Sequence, residues 1–539
     1  MEWSAIPVIV ARIGPSGSPS IADEAVSDRP PRPLPSWSVR PIVEPLSDRN
    51  LGWLRYLHRK ATTADSWDRE DRPHEHWDDH SDPPMLCWHR FDLIDSTYAV
   101  ALMADRTPAW REVYQVVLDE LIARHTGWWA AQDWLTQIGH DPDRASYPPE
   151  YQLLIPASQW GDYDVPGWTA NGIEPWGLQW DPIGADGNLF FKGFFLLMLG
   201  LHRRTTGDAR WDQPFEMIRD GAHTFTWWHT RIAEHLAEQW RAHPEGCHCE
   251  NTKIWPYCLA GAGLGLQLAD LAFGTGHHEV FDVWWQHARR EYLHLDGEAL
   301  PGAVTLYYDP IIDEHLTVPA LFGGIPAFYL APQVPDEARR LWDASRSQAG
   351  ILQVDGPVAP LGPRMTAMTM FLAREWGVHD LADALQTSAD ERYQPTWDPA
   401  RGEFTWGFEL DEPHPRGQYN GHMAAAEVMT EGAWWRLGNV ASEARFDEPT
   451  VVGVDFPRIG LRQAEWDAGE QTLTLATQLM TADGGQPPTS FRVTGLGDPE
   501  RWVVDASDGS PATWQASGPD LEVHLPMAAL QLVVRRASG

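Results

Sequence analysis

Lysine is almost missing from this chain: 539 residues contain only Lys60, Lys192 and Lys253. The shortage, with Arg, Ala and Pro abundant, reads as genome-composition bias and draws attention to the places where lysine survives. Cysteine is nearly as scarce, with four residues, so a disulfide framework is not what holds a chain of this length together. No run approaches the roughly 20 consecutive apolar residues that a membrane span needs. Basic charge is also short: 41 Lys and Arg against 76 Asp and Glu leave a net charge of -35. Acidity spread along the chain repels phosphate backbones and argues against nucleic acid as a partner. Residues 1–13 are mildly apolar but lack a basic leader region, and Gly14-Pro15-Ser16-Gly17 follows without a cleavage pattern, so a soluble, cytoplasmic protein is expected.

What is abundant is tryptophan, at 30 residues, and helical periodicity. Residues 1–48 are rich in Pro, Ser and Asp, and Arg29-Pro30-Pro31-Arg32-Pro33-Leu34-Pro35 cannot be helical, because each proline drives its predecessor out of the α region. This segment reads as an arm. Apolar spacing then predicts helices over 51–61, 88–105, 108–126, 188–206, 211–237, 258–274, 277–294, 316–331, 335–347, 363–376, 379–391 and 420–437. Helical hairpins repeated this often close most readily into an α/α toroid, with the site at the end fed by the long connections. Two connections stand out: 141–187, dense in aromatics, and 295–315, where Val304–Asp309 has β character. Past Gly438 the pattern changes to alternating, β-branched stretches such as Thr472–Leu479 and Leu521–Leu525. The expected organisation is a mainly α protein: an arm over 1–48, an α/α barrel over 49–440 and a small antiparallel β-sandwich over 441–539.

Chemistry concentrates at Gly246-Cys247-His248-Cys249-Glu250-Asn251-Thr252-Lys253-Ile254-Trp255-Pro256-Tyr257-Cys258, which holds three of the four cysteines and one of the three lysines. Cys249 and Cys258, nine residues apart, are neither a C-x-x-C redox pair nor a zinc knuckle. A thiol with an ordinary pKa of about 8.5 can give or take a proton without permanent charge, which suits acid/base work in an apolar pocket. Buried structural cysteines are the plainer reading of the same residues. A second cluster, Asp78-Asp79-His80-Ser81-Asp82, formally matches a D-D-x-x-D metal motif, but it lies in a charge-dense loop beside Pro83-Pro84 and reads as solvated. No metal is expected.

Three stretches together resemble the linalool dehydratase/isomerase family: Asp181-Pro182-Ile183 with Asn188–Gly193 and the helix Leu196–Leu201; Cys249-Glu250 through Cys258; and Leu306–Pro310 with the helix Met370–Gly377. The resemblance covers roughly residues 50–437. It implies an α6/α6 barrel, a homo-oligomeric ring, no cofactor, and acid/base removal, addition and migration of a hydroxyl on a monoterpene alcohol. It further implies that Cys249 and Cys258 flank the substrate and that Tyr308 lies in the same pocket. Phe194 stands where the family has a catalytic His, and His58, in Tyr56-Leu57-His58, is the nearest match to the family's catalytic Asp.

The expected activity is a cofactor-independent lyase or isomerase on an apolar terpenoid, with Cys249 and Cys258 as proton-transfer pair and Tyr308 and His58 binding or relaying at the hydroxyl. Phe190, Phe191, Phe194, Phe195 and Trp255 would wall the pocket and stabilise a carbocation by about 0.5 to 2 kcal/mol per ring face. Asp181 joins the substrate-binding set, and Glu250 either tunes Cys249 or caps the helix. Lys192 and Lys253 read as structural ion-pair partners. Two rivals stay open. One is a protonation-started terpene cyclase. The other is a carbohydrate-active α/α toroid using carboxylates such as Asp181, Glu409 and Glu412.

Overall fold

The structure is a computed structural model that describes residues 44–68, 70–71, 73–77, 89–131, 173–174, 177–178, 181–187, 189–219, 223–249, 253–310, 313–354, 356–359, 361–409, 417–480, 487–506 and 512–537. The arm, the Asp78–Asp82 cluster, Glu250 and Glu412 lie outside the described residues, as does nearly all of the aromatic connection over 141–180.

Helices dominate up to Asn439: α1 (Asp48–Thr62), α2 (His89–Arg106), α3 (Arg111–His125), α4 (Leu189–Thr206), α5 (His229–Ala242), α6 (Pro256–Phe273), α7 (Glu279–Glu291), α8 (Gly324–Leu330), α9 (Pro335–Gln348), α10 (Pro363–Glu375), α11 (His379–Arg392), α12 (Gly417–Val428) and α13 (Ala433–Asn439). Local chemistry fixes their ends. Ser47 Oγ accepts from the Asn50 N–H and Asn50 Oδ1 accepts from the Ser47 N–H, both at 3.1 Å, a capping box that starts α1. Proline opens α6 at Pro256, and Gly274, at φ +67°, ends it in the left-handed conformation that glycine adopts without strain.

Six of these helices are almost wholly buried and pack in sequence: α2 on α4, α4 on α6, α6 on α8, α8 on α10, α10 on α12, and α12 back on α2. The others lie outside them, α3 against α2 and α4, α5 against α4 and α6, α9 against α8, and α11 against α10. The closest approach is α4 on α6. A Cβ at Gly193 would come 2.6 Å from Ala262 Cβ, and one at Gly261 would come 2.4 Å from Phe194 Cζ, so only glycine fits at either point.

Four two-stranded antiparallel hairpins sit in the connections: β1 (Ile173–Glu174) with β2 (Gly177–Leu178), β3 (Phe215–Met217) with β4 (Phe225–Trp227), β5 (Ala303–Asp309) with β6 (Glu314–Pro319), and β7 (Pro395–Asp398) with β8 (Glu403–Trp406). The C-terminal region is all strand: β9 (Thr450–Val452), β10 (Ile459–Asp467), β11 (Thr472–Leu479), β12 (Thr489–Thr494), β13 (Trp502–Ala506), β14 (Thr513–Ser517), β15 (Asp520–Leu525) and β16 (Gln531–Arg536). They form two four-stranded sheets in the orders β10-β11-β16-β13 and β14-β15-β12-β9. Alternate residues, including Leu473 with Leu475, Val493 with Phe491 and Leu532 with Val534, are buried in one continuous apolar core shared with the helices. Backbone hydrogen bonds tie the two parts together, from Ala109 N to Ala464 O at 3.0 Å and from Val451 N to Ala109 O at 2.7 Å.

Three expected helices are corrected. Residues 211–237 hold a 3-10 turn and the β3/β4 hairpin before α5 begins at His229; Pro214 and the β-branched and aromatic residues from 224 to 227 favour extended backbone there. Residues 316–331 start as β6, and Pro319 closes that strand before the short α8. Residues 420–437 split after Val428, where α12 ends, and Gly432, with a φ of +65°, stands at the N-cap of α13. Among the described residues no helix is long and apolar enough to cross a membrane.

Candidate active site

Two helix starts converge on one pair of sulfurs. Leu189 N donates to His248 O at 3.1 Å, and the next amide, Phe190 N, donates to Cys249 Sγ at 3.1 Å, so the amino end of α4 points at that thiol. Cys258 is the third residue of α6, and Cys249 Sγ donates to Cys258 Sγ at 3.4 Å. The loop between the thiols is pinned at its far side. Cys249 N donates to Lys253 O at 2.7 Å, Lys253 Nζ forms a buried ion pair with Asp309 at 2.9 Å, and Ile254 exchanges backbone hydrogen bonds with Tyr308 at 2.8 and 2.9 Å. Both thiols are buried. Burial pushes the Cys258 thiol well above its ordinary pKa, and the neighbouring Cys249 adds to the rise, so at neutral pH Cys258 is an uncharged S–H. Burial raises Cys247, the third thiol, to about 12.

The helical period divides the four phenylalanines of α4 between two faces. Phe190 and Phe194 stack on each other with ring centroids 4.1 Å apart, and on this face lie Phe91, at 4.2 Å from Phe190, and Tyr257, at 5.4 Å from Phe194. Phe191 and Phe195 face α3 instead and sandwich the His125 ring at 4.4 and 4.7 Å. The expected single wall of four rings is therefore corrected to two. Trp255 packs on Tyr307 at 5.0 Å.

Beside the Phe190 and Phe194 rings lies a polar cluster that the motifs did not reveal. Tyr257 meets Tyr329 edge to face at 5.4 Å, and Tyr329 and Tyr98 share a hydroxyl–hydroxyl hydrogen bond of 2.9 Å. Arg364 donates weakly to the Tyr257 hydroxyl at 3.5 Å. One turn before Tyr98 on α2 stands Asp95, with Oδ2 3.0 Å from His422 Nε2 on α12. Gly421 permits this approach, because a Cβ there would lie 2.6 Å from the Asp95 carbonyl oxygen. Arg90, also on α2, lies over the Phe190 ring at 4.6 Å and electrostatically opposes the rise of Cys258. The signal for these groups was in the sequence: Asp92, Asp95 and Tyr98 recur at three-residue spacing in a helix that is otherwise buried nearly all round.

His58 and Tyr308 are placed elsewhere. The His58 ring packs edge to face on Phe456, at 4.9 Å, in the C-terminal region, and burial with the nearby Arg55 lowers it to about 4. Tyr308 shares its backbone with the thiol loop, but its hydroxyl donates to Asp313 at 3.1 Å and its ring lies 4.7 Å from His315; burial, helped by Asp313, pushes it up to about 12. Asp181 accepts from the Trp227 indole at 3.1 and 3.2 Å and from the Ile183 N–H, and burial raises it. Glu409 is exposed and paired with Arg392 at 3.2 Å. Lys192 is buried and donates to Ala185 O and, at 2.6 Å, to Gln239 Oε1, both neutral acceptors.

The family model described as Linalool dehydratase/isomerase matches residues 160–403. This match supports a lyase or isomerase with terpene-related chemistry as the class of protein. Across that segment the chain is similar to the linalool dehydratase/isomerase family, the one its motifs resemble. The matched segment takes in α4, both thiols, the β5/β6 hairpin, Tyr329 and Arg364. It leaves out α1, α2 and α12, so Asp95, Tyr98 and His422 lie outside it.

Proposed function

We propose that the chain is a cofactor-independent acid/base enzyme of the hydro-lyase or isomerase type, acting on a terpenoid alcohol inside an α6/α6 toroid. The closed circuit of six inner helices supports the toroid. The observation that carries the chemistry is the buried pair of thiols 3.4 Å apart, at two helix starts and beside stacked aromatic rings.

Loss of an allylic or tertiary hydroxyl needs a proton donor for the leaving oxygen, a base for a neighbouring C–H, and surroundings that do not trap the cation formed between the two steps. Cys258, held uncharged by burial, gives its proton to the hydroxyl, which departs as water. The thiolate left on Cys258 draws the Cys249 proton across the contact in which Cys249 already donates. Negative charge then rests on Cys249, where the Phe190 amide at the start of α4 stabilises it. Cys249 removes the proton from carbon, and both thiols end neutral, as they began. If water returns to a different carbon of the cation before that last step, the outcome is isomerisation. The faces of Phe190, Phe194 and Tyr257 exclude bulk water and attract the cation.

The test is incubation of wild type, Cys249→Ala and Cys258→Ala with a panel of C10 to C20 isoprenoid alcohols, read by mass spectrometry. Each substitution is expected to lower turnover by roughly 10²- to 10⁴-fold. A product formed equally well by both variants overturns the thiol mechanism.

A further inference from the structure

The interior contains more buried charge than the thiol mechanism uses. Asp95 is fully buried, and among the described residues neither of its carboxylate oxygens has a well-formed hydrogen bond; His422 Nε2, 3.0 Å from Oδ2, is likewise left without one. Among the described residues Arg364 Nε is a third group without a partner, and the other end of this guanidinium makes a long contact to the Tyr257 hydroxyl. Orphaned buried polar atoms cost free energy unless something satisfies them. These three come from α2, α12 and α10 and surround the Tyr98–Tyr329 hydroxyl pair, and Tyr257 and Arg364 keep some accessible surface while Tyr98 and Tyr329 have none. The cluster is therefore closed at Tyr98 and Tyr329, and its accessible surface lies at Arg364 and at Tyr257, the residue next to Cys258 in the chain.

We infer that Asp95, His422 and Arg364 are positioning residues that build a polar pole for the substrate's hydroxyl, opposite the aromatic face, and orient it toward the thiol pair. The inference rests on the terpenoid-alcohol reading and deepens it. The pole sets one half-buried cation, Arg364, against one buried carboxylate, Asp95, so it favours a neutral hydroxyl over an anionic head group such as a diphosphate. Burial holds all three phenols above their ordinary range and Asp95 pushes each the same way, which keeps their hydroxyls protonated and able to donate.

The experiment compares binding of linalool with binding of the hydrocarbon of the same skeleton lacking the hydroxyl, by tryptophan fluorescence, in Cys258→Ala protein so that turnover does not intervene. Hydrogen bonds to charged groups set the expected preference for the alcohol at roughly 10- to 100-fold. Adding Asp95→Asn, His422→Gln or Arg364→Met should reduce that preference toward unity with hydrocarbon affinity unchanged, the hydrocarbon doubling as a control for folding. The inference is overturned if the preference survives all three substitutions, if the parent shows none, or if the hydrocarbon is lost in parallel, which would mean a packing role. Geranyl diphosphate binding as tightly as linalool would also overturn it. A product from wild type together with an unaltered preference sinks the pole but not the proposed function; a preference that depends on Asp95 and His422 without any product does the reverse.

Discussion

Lys60→Met is the sharpest probe of how the helices hold α2 in place. Lys60 Nζ on α1 lies 2.5 and 2.6 Å from the two oxygens of Asp92 on α2, with the side chains 1% and 0% exposed. The backbone of α12 covers the pair so closely that a Cβ at Gly417 would fall 2.0 Å from Asp92 Oδ2. Removing the ammonium takes a buried cation away from a buried carboxylate, at a cost of about 3 to 5 kcal/mol. Lys60→Met with Asp92→Asn removes both charges and should recover most of that loss, because Asn keeps the shape and the 3.2 Å contact with Ser96 Oγ. Urea unfolding followed by tryptophan fluorescence measures both. A loss below about 1 kcal/mol is what an exposed ion pair gives and would refute the burial argument; so would a double variant no more stable than the single one. Asp92 lies one turn before Asp95 and two before Tyr98, so the single variant should also lose turnover.

Gly261→Ala forces a methyl against Phe194 and should cost about 1 to 3 kcal/mol, relieved by Phe194→Leu in the same chain; additive effects of the two substitutions would contradict the contact. Replacing His58 by Ala should leave kcat/KM unchanged, since its ring packs on Phe456, and a collapse of turnover would return it to the mechanism. Burial raises the Glu375 carboxyl to about 8 from 4.5, even though the Trp434 and Trp435 amides donate to it at 3.1 and 2.9 Å. The folded state therefore holds this proton more tightly than the unfolded chain, and the stability it contributes is present below about 4.5 and lost as pH rises through 8. Glu375→Gln lacks that linkage, so the stability of the wild type relative to the variant should fall between those pH values; parallel pH curves would refute the shift.

Helix existence was legible because apolar residues recur with the helical period along most of the chain, and the thiol segment stood out by composition. The misread elements were short hairpins and split helices, where Pro214, Pro319 and Gly432 break runs that periodicity alone joins. The site was legible only where one stretch of sequence carries it. Cys249 and Cys258 are nine residues apart, whereas Asp95 meets His422 across 327 positions and Tyr98 meets Tyr329 across 231. Such pairs become visible only once α12 and α8 have packed against their neighbours. Phe191 and Phe195 were misplaced for a simpler reason: a run of four phenylalanines broken by Lys192-Gly193 looks like one wall, but helical geometry sends residues one apart about 100° away from each other.

Phe194 brings these strands of argument together. The family resemblance puts a catalytic His at this position, and a lost acid invites a search for its replacement. His58 does not supply it, because its ring packs on Phe456 in the connection between β9 and β10. Nor is position 194 able to host an ionised group in these surroundings: its ring is fully buried, stacked on Phe190, edge-on to Tyr329 at 5.2 Å and pressed over Gly261. A cation there would be desolvated with only aromatic faces and phenols for company. Replacing His by Phe at such a point removes an acid and adds a ring face for a carbocation. In the proposed mechanism the first proton comes instead from a group that burial keeps neutral and that recovers its proton from a neighbour, a property that the Cys258–Cys249 contact offers.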